Sequence, residues 1–220
     1  MAVALATEVF VPLADLMGLG KIKDEIEDAC FELTHGSDRA QLLANFSGEG
    51  GGEGLLRLAI ADLRRALEPH VICKPTSSSG ALLVCGPAKA EKGAPFAGLT
   101  ELRVMGRSKS AYSTWRKMQK KQVPLDKILD RTAIRVIVDA ETPATAERLC
   151  YEVRALMVGL WRTLEDREKD YIAAPKVNGY RSLHLAAECS GLPLEVQIRS
   201  REMHQQAEYG ACGHWEYKAG

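Results

Sequence analysis

A basic segment between Arg103 and Lys121 contains seven cationic residues and no acidic residue. Within it, Lys109, Ser113 and Lys117 are spaced by four, so on a helix they form one stripe of two ammonium groups and a hydroxyl. A helix that opens with donors and cations can receive phosphate oxygens. A solvated basic face is the alternative interpretation, and this segment alone does not decide between the two.

Two carboxylates occur where a metal ion could use them. Asp130 stands just before a β-branched segment that begins at Thr132, and Glu195 lies in the alternating sequence Leu-Glu-Val-Gln-Ile-Arg. A period of two places Glu195, Gln197 and Arg199 on one face of a strand. Mg²⁺ prefers one or two carboxylates together with phosphate oxygens and water, which two strands carrying Asp130 and Glu195 would supply. A turn role for Asp130 and a solvent-facing strand are the alternatives.

The segment 170–180 combines aromatic residues, cations and a turn signal. Tyr180 follows Asn178-Gly179 and lies close in sequence to Lys176. A tyrosine beside a lysine and an asparagine is suited to stack on a purine and to hold its phosphates. An ordinary surface loop is the alternative.

These residues need a scaffold, and hydrophobic periodicity predicts one. Helices are predicted through 19–33, over 53–67, 110–121, through 146–160 and over 201–217; strands are predicted over 102–105, 132–138, 183–188 and 193–199. The last two strands flank Ser190-Gly191 and suggest a hairpin. This order implies a mixed β-sheet covered by helices, an α/β or α+β domain. Tyr112, Trp115 and Met118 are predicted to pack in the core.

Composition divides the chain into three parts. Residues 1–73 are predicted to form a helical N-terminal segment, and 99–220 the main domain. Residues 74–98 are rich in Pro, Gly, Ser and Ala and are predicted to be an insertion or loop.

Charge and cysteine content exclude several classes of protein. The 29 basic and 29 acidic residues of the 220-residue chain cancel, which argues against a general polyanion-binding surface. The six cysteines include no C-x-x-C pair, and His204 and His214 lack partners at metal spacing, so neither a zinc site nor a disulfide framework is indicated. Free thiols are expected. No apolar run approaches the length of a membrane helix, and the start resembles no secretory signal.

Taken together, five segments occur in the order found in one known family. The segments 106–118, 130–135, 169–184, 194–199 and 203–218 resemble the synthetase domain of the RelA/SpoT family. The resemblance implies an α+β, nucleotidyltransferase-like domain. It also implies a Mg²⁺-dependent transfer of pyrophosphate from ATP to the 3′-hydroxyl of GDP or GTP, with AMP leaving.

Family roles transfer to matching positions of this sequence. The resemblance assigns catalysis and Mg²⁺ binding to Asp130 and Glu195. It assigns ATP contacts to Arg107, Lys109, Ser113, Lys117 and Arg135. The residues assigned to the GDP or GTP acceptor are Lys169, Lys176, Asn178, Tyr180, His184, Gln197 and His204.

Other functions are weighed against this one. A catalytically silent module that binds guanine nucleotides is the main alternative, and a nucleic-acid-binding domain using the basic segment is disfavoured by the zero net charge. Hydrolysis of the product is not expected, because the His-Asp dipeptide of the family's hydrolase domain does not occur. No membrane or nucleic-acid partner is expected, and the oligomeric state is not indicated. A soluble protein of the bacterial cytoplasm or the plastid stroma is expected.

Overall fold

A mixed β-sheet forms the centre of the molecule. The structure, a computed structural model, describes residues 2–17, 19–47, 52–74, 83–88, 94–108, 110–125, 128 and 132–209. Its strands are β1 (Val71–Lys74), β2 (Leu83–Ala88), β3 (Leu99–Ser108), β4 (Thr132–Ala140), β5 (Arg162–Thr163), β6 (Lys169–Asp170), β7 (Leu183–Cys189) and β8 (Leu192–Ser200). The order across the sheet is β1–β2–β3–β4–β8–β7–β5, with β6 paired to β7. Only β4 and β8 run parallel among these pairs, so the predicted mixed sheet is confirmed.

Helices account for most of the remaining described residues. They are α1 (Ala2–Leu5), α2 (Val11–Leu16), α3 (Gly20–Ser47), α4 (Gly52–Leu67), α5 (Ala111–Lys121), α6 (Pro143–Leu160) and α7 (Arg201–Tyr209), with a π-helical turn at Ala6–Phe10 between α1 and α2. None of the helices that the structure describes combines the length and the apolar character that crossing a membrane demands.

The apolar face of the sheet is the core of the fold. Val136 of β4 and Val196 and Ile198 of β8 are fully buried there, packed with Leu63 of α4 and Leu149 of α6. In β8, from Leu194 to Ile198, buried apolar residues alternate with less buried polar ones, because one face of the sheet packs against α4 and α6. Burial of an aliphatic side chain contributes about 1.5–3 kcal/mol, so this layer fixes the position of β8 relative to β4.

A second, smaller core holds α5 against α3. Phe31 of α3 is 1% exposed and its ring lies 5.1 Å from that of Trp115, whose indole nitrogen donates to Asp38 at 3.1 Å. Tyr112 and Met118 pack against the same cluster, so the prediction that these α5 residues belong to a core is confirmed. The helix begins where predicted, with the Ser110 hydroxyl accepting a hydrogen bond from the Ser113 amide.

The hairpin predicted near the end of the chain is also confirmed. β7 and β8 pair antiparallel, and Ser190 and Gly191 connect them with φ values of 52° and 78°. Both values lie in the left-handed region that two-residue hairpin turns require. The helix predicted over 201–217 is observed to Tyr209, and its remainder lies outside the described residues.

The interpretation of 74–98 as a loop is wrong for residues 83–88, which form β2, whereas its interpretation as an insertion stays a prediction. β2 pairs with β1 on one side and with β3 on the other. The Gly-Pro pair within β2 suggested a loop, but pairing with β3 uses Leu83, Val84 and Cys85, before Pro87 is reached. Residues 75–82 and 89–93 of this segment lie outside the described residues. The division of the chain into 1–73, 74–98 and 99–220 stays a prediction.

Two elements are longer than predicted. β3 extends to Leu99–Ser108 because it pairs with β4 along its whole length. α3 continues past residue 33 to Ser47, with a break in helical geometry at His35. Both extensions depend on packing against distant segments, which local periodicity does not register.

Candidate active site

The face of the sheet opposite the core carries polar side chains. In the parallel ladder of β4 and β8, Ala133 lies beside Glu195 and Arg135 lies beside Gln197. In the antiparallel ladder of β7 and β8, His184 lies beside Gln197. Paired residues point to the same face, so Arg135, Glu195, Gln197 and His184 are neighbours on one surface.

A cavity of about 570 Å³ opens over this surface. Cationic residues line it from two directions. Lys117 and Lys121 come from α5, and Arg167, Lys169 and Lys176 come from the chain between β5 and β7. Cations that converge around a concave surface concentrate positive potential, which favours a polyphosphate ligand.

Glu195 lies on the floor of this cavity. Its Oε1 accepts a hydrogen bond from Gln197 Nε2 at 3.3 Å and lies 3.5 Å from His184 Nδ1. On the other side of the imidazole ring, Nε2 lies 2.9 Å from the Tyr180 hydroxyl. A carboxylate that is oriented by an amide and an imidazole, and that faces a cavity, can accept a proton from a bound hydroxyl.

Tyr171 and His184 line the cavity and belong to an aromatic cluster that also includes Tyr180. The Tyr171 ring lies 5.4 Å from the His184 ring and 6.0 Å from the Tyr180 ring, in edge-to-face geometry. The ammonium group of Lys176 lies 4.6 Å from the Tyr171 ring centre and 5.2 Å from that of Tyr180. These are cation–π distances. Tyr171, which sequence reasoning did not select, therefore belongs to the candidate site.

The segment that carries these residues is fastened to α6. Tyr151 donates its hydroxyl hydrogen to Asp170 Oδ2 at 3.0 Å, and Arg154 forms an ion pair with Glu168. Asp170 Oδ1 in turn accepts the amide hydrogen of Ala173 at 2.8 Å. Burial and the hydrogen bond to Asp170 raise the pKa of Tyr151 to about 12, so its hydroxyl remains a donor at neutral pH.

The predicted turn at Asn178-Gly179 is observed and shapes the end of this segment. Asn178 Oδ1 accepts the Tyr180 amide hydrogen at 3.2 Å, and the Gly179 amide donates to the Lys176 carbonyl at 2.8 Å. Gly179 has a φ of 78°, which favours glycine. The turn thereby sets the spacing between Lys176 and Tyr180.

A polar cluster beside the cavity ties α7 to the sheet. Glu208 of α7 accepts hydrogen bonds from Arg135 at 3.0 Å and from Arg199 at 2.9 Å. Arg199 is 1% exposed and also lies 2.6 Å from His204 Nδ1. Arginine can only donate, so His204 Nδ1 accepts and its ring is neutral. His204, predicted beside the acceptor nucleotide, lies next to Arg135, a predicted ATP contact.

Burial of His204, reinforced by Arg199 and Arg135, lowers its pKa to about 4. Between pH 6.5, the ordinary pKa of histidine, and about pH 4, the imidazole of His204 is protonated in the unfolded chain but neutral in the folded chain. The contribution of neutral His204 to the free energy of unfolding is therefore fully present above pH 6.5 and is lost as the pH falls below that value. We expect the free energy of unfolding to drop by about 1.5 kcal/mol more between pH 7 and pH 5 in the wild type than in His204→Gln. Urea unfolding at the two pH values measures this difference, and equal drops would contradict it.

The remaining predicted residues are placed as follows. Asp130 and Lys109 lie outside the described residues. Arg107 lies in β3, where it pairs with Ala133 of β4, and Ser113 lies in the first turn of α5. The pairing of Asp130 with Glu195 as metal ligands thus stays a prediction.

The described residues suit a magnesium ion that is held largely by substrate. No group of three or more His, Cys, Asp or Glu side chains arranged to hold a metal occurs among them. Two described carboxylates, Glu195 and Asp166, line the cavity together with its cations. One or two carboxylates fit an ion that completes its coordination with phosphate oxygens and water.

A family model described as "Region found in RelA / SpoT proteins" matches residues 106–220. This match covers the polar face of the sheet, the cavity and α7.

Curated proteins are similar over nearly the whole chain. A probable chloroplastic GTP diphosphokinase of Oryza sativa subsp. japonica is 36% identical over 97% of this chain. A GTP pyrophosphokinase of Escherichia coli is 33% identical over 100% of it. In both cases the chain spans 25% of the relative's length.

Solved structures with weaker likeness include two from Bacillus subtilis. Small alarmone synthetase 2 is 23% identical, with 70% of this chain and 74% of that chain covered at a TM-score of 0.45. Small alarmone synthetase 1, bound to its product pppGpp, is 26% identical, with 47% and 57% covered at a TM-score of 0.37.

Proposed function

The chain belongs to the RelA/SpoT family, and from that premise we propose that it is a GTP diphosphokinase. It transfers pyrophosphate from ATP to the 3′-hydroxyl of GDP or GTP and releases AMP. The observation that carries the proposal is the cavity in which Glu195 lies among Lys117, Lys169 and Lys176. Relatives named as GTP diphosphokinase and GTP pyrophosphokinase support it.

The proposed reaction forms one bond and breaks one bond. The 3′-oxygen of the acceptor attacks the β-phosphorus of ATP, and the bond from that phosphorus to the oxygen bridging the α- and β-phosphates breaks. Glu195 takes the proton of the attacking hydroxyl, with Gln197 and His184 orienting the carboxylate. Transfer of this kind depends mainly on alignment and on stabilisation of phosphate charge.

The two nucleotides occupy opposite sides of the cavity in this proposal. ATP lies against α5, where Lys117 supplies charge to the phosphates. The acceptor lies against the 165–182 segment, with guanine stacked on Tyr180 and its phosphates near Lys169 and Lys176. Asp130 and Glu195 would hold Mg²⁺, which would neutralise phosphate charge.

Tyr171 enlarges the aromatic wall on the acceptor side. It lies edge-on to both Tyr180 and His184 and beneath the Lys176 ammonium, so it holds the stacking tyrosine and the phosphate-binding lysine in one unit. Asp170 accepts hydrogen bonds from the Tyr151 hydroxyl and the Ala173 amide, which fastens the segment that carries this unit to α6.

We place the activity in the bacterial cytoplasm or the plastid stroma. One relative is named as chloroplastic, and another is from Escherichia coli.

A synthetase assay tests the proposed function. The purified chain is incubated with γ-labelled ATP, Mg²⁺ and either GDP or GTP, and the products are separated by thin-layer chromatography. We expect labelled guanosine tetra- or pentaphosphate with stoichiometric AMP, and no product when EDTA replaces Mg²⁺.

Calorimetric titration with GDP distinguishes failure of catalysis from failure of binding. Binding of GDP without product formation by folded protein would favour the catalytically silent module. Absence of both binding and product would reject the nucleotide site altogether.

A further inference from the structure

Two thiols meet at the far edge of the sheet. β1 and β2 pair antiparallel with Cys73 directly opposite Cys85, and the two Sγ atoms are 2.9 Å apart. Both residues are free thiols in the structure. The sulfurs of a disulfide lie about 2.05 Å apart, so less than about 1 Å of approach separates the pair from bonding distance.

The position of the pair in the sheet allows this approach. β1 is the outermost strand of the order and has only four residues. Its register with β2 shifts between Val71 and Cys73, which marks an irregularity beside the pair. A short edge strand with a local irregularity is held on one side only, so it can move by a fraction of an ångström at small cost.

The two thiols differ in access. Cys85 is completely buried, whereas Cys73 is only partly buried. Burial, and then the neighbouring Cys73, raise the pKa of the Cys85 thiol, so Cys85 is the poorer nucleophile toward an external reagent. The charged groups that face the pair are Arg64 and Glu68 of α4.

We propose that Cys73 and Cys85 form a dithiol site that a small disulfide oxidant of the oxidised-glutathione class converts to an intramolecular disulfide. The Cys73 thiolate attacks one sulfur of the oxidant, which forms a mixed disulfide and releases one thiolate. Cys85 then attacks the Cys73 sulfur, forms the Cys73–Cys85 bond and displaces the second thiolate. The two protons of the protein thiols pass to the two released thiolates, so the protein is oxidised by two electrons and the oxidant is reduced by two.

The other described cysteines do not have this arrangement. Cys30, Cys150 and Cys189 are buried in separate places, and burial raises the pKa of Cys150 to about 12. A buried thiol is not accessible to the oxidant, and without a neighbouring thiol it cannot form an intramolecular disulfide. The reaction is therefore expected at one pair alone among the described cysteines.

The disulfide would not enter the cavity. Cys85 lies opposite Leu102 of β3, which is fully buried on the helix-covered face, while the cavity opens on the other face. The bond would close the chain between β1 and β2 and secure the edge of the sheet. It would restrict the unfolded chain, so we expect the oxidised protein to melt about 5 °C higher. This inference does not depend on the proposed function.

Mass spectrometry tests the proposal. The folded chain is equilibrated in glutathione buffers of increasing oxidised fraction, quenched in acid, denatured and alkylated with N-ethylmaleimide. We expect two alkylation sites to disappear together with a loss of two mass units, and a digest to contain the Cys73–Cys85 cross-linked peptide.

Two variants test the order of the two thiol–disulfide exchange steps. In Cys85→Ala the resolving thiol is gone, so a glutathione adduct should accumulate on Cys73. In Cys73→Ser, Cys85 should remain unmodified, and Cys150→Ala should behave as the wild type. A pair that stays reduced in fully oxidised glutathione, a disulfide to another cysteine, or an adduct on Cys85 in Cys73→Ser would overturn the proposal.

Discussion

Replacing Glu195 by glutamine is expected to lower kcat about 10³-fold while the protein remains folded. The loss follows from removal of the group that accepts the proton of the attacking hydroxyl, since general-base catalysis contributes about 10²–10⁴-fold. A factor of 10³ corresponds to about 4 kcal/mol of transition-state stabilisation. Glutamine keeps the size of the side chain, and its carbonyl oxygen can still accept the Gln197 hydrogen bond.

The measurement is the initial rate of product formation at saturating ATP and acceptor, beside a thermal melt of each protein. Glu188→Gln is the matched control. Glu188 is on the neighbouring strand β7, forms an ion pair with Arg162 at 3.3 Å and does not line the cavity. We expect that control to keep at least about half of the wild-type rate, because an exposed ion pair contributes little. Near-normal turnover of Glu195→Gln would refute the role assigned to this carboxylate.

Local sequence patterns predicted the parts of the site that lie within single elements. The alternation around Glu195 and Gln197 is a property of one strand, and the position of Lys117 on α5 follows from one helix and its Ser110 cap. Strand alternation and helical spacing both repeat within a few residues, so a short segment is enough to show them. The bounds of α5 accordingly differ from the prediction by one residue.

Long-range pairing determined what the sequence patterns could not predict. β8 inserts beside β4, parallel to it, and only this pairing brings Glu195 close to the end of β4 at which Ala133 lies. Tyr171 and Lys121 join the cavity for the same reason, since they come from elements far apart in the chain. The hydrophobic periodicity of one segment does not predict which distant strand it will pack against, or on which face.

The burial of Arg199 is a second feature that local sequence patterns could not predict. Its alternation with Glu195 correctly places it in the polar set, but the structure buries it at 1% exposure under α7. Glu208 and His204 are the partners that make this burial tolerable. The covering helix follows the strand directly, yet nothing in the strand pattern indicates that it folds back over Arg199.

Replacing Lys117 by methionine is expected to lower kcat/KM for ATP about 100-fold. Lys117 lines the cavity from α5, and a hydrogen bond to a charged group is worth about 1.5–3 kcal/mol, which matches a 100-fold change. Methionine has nearly the same helix propensity as lysine, so α5 should be unchanged. The apolar packing of Trp115 on Phe31 holds the helix in place independently of this side chain.

Lys120→Met is the matched control, since Lys120 lies on the same helix, is exposed and does not line the cavity. It removes the same charge from the same helix, so general electrostatic attraction of ATP changes equally in both variants, and we expect its kcat/KM to stay within about 2-fold of the wild type. Steady-state rates with ATP varied, and then with GDP varied, separate the two nucleotides. Equal losses of kcat/KM in both variants would show that Lys117 acts only through the general positive charge of α5 and makes no specific contact with ATP. A rise in KM for GDP without a change for ATP would place Lys117 on the acceptor side, because weaker binding of one nucleotide raises the KM of that nucleotide alone.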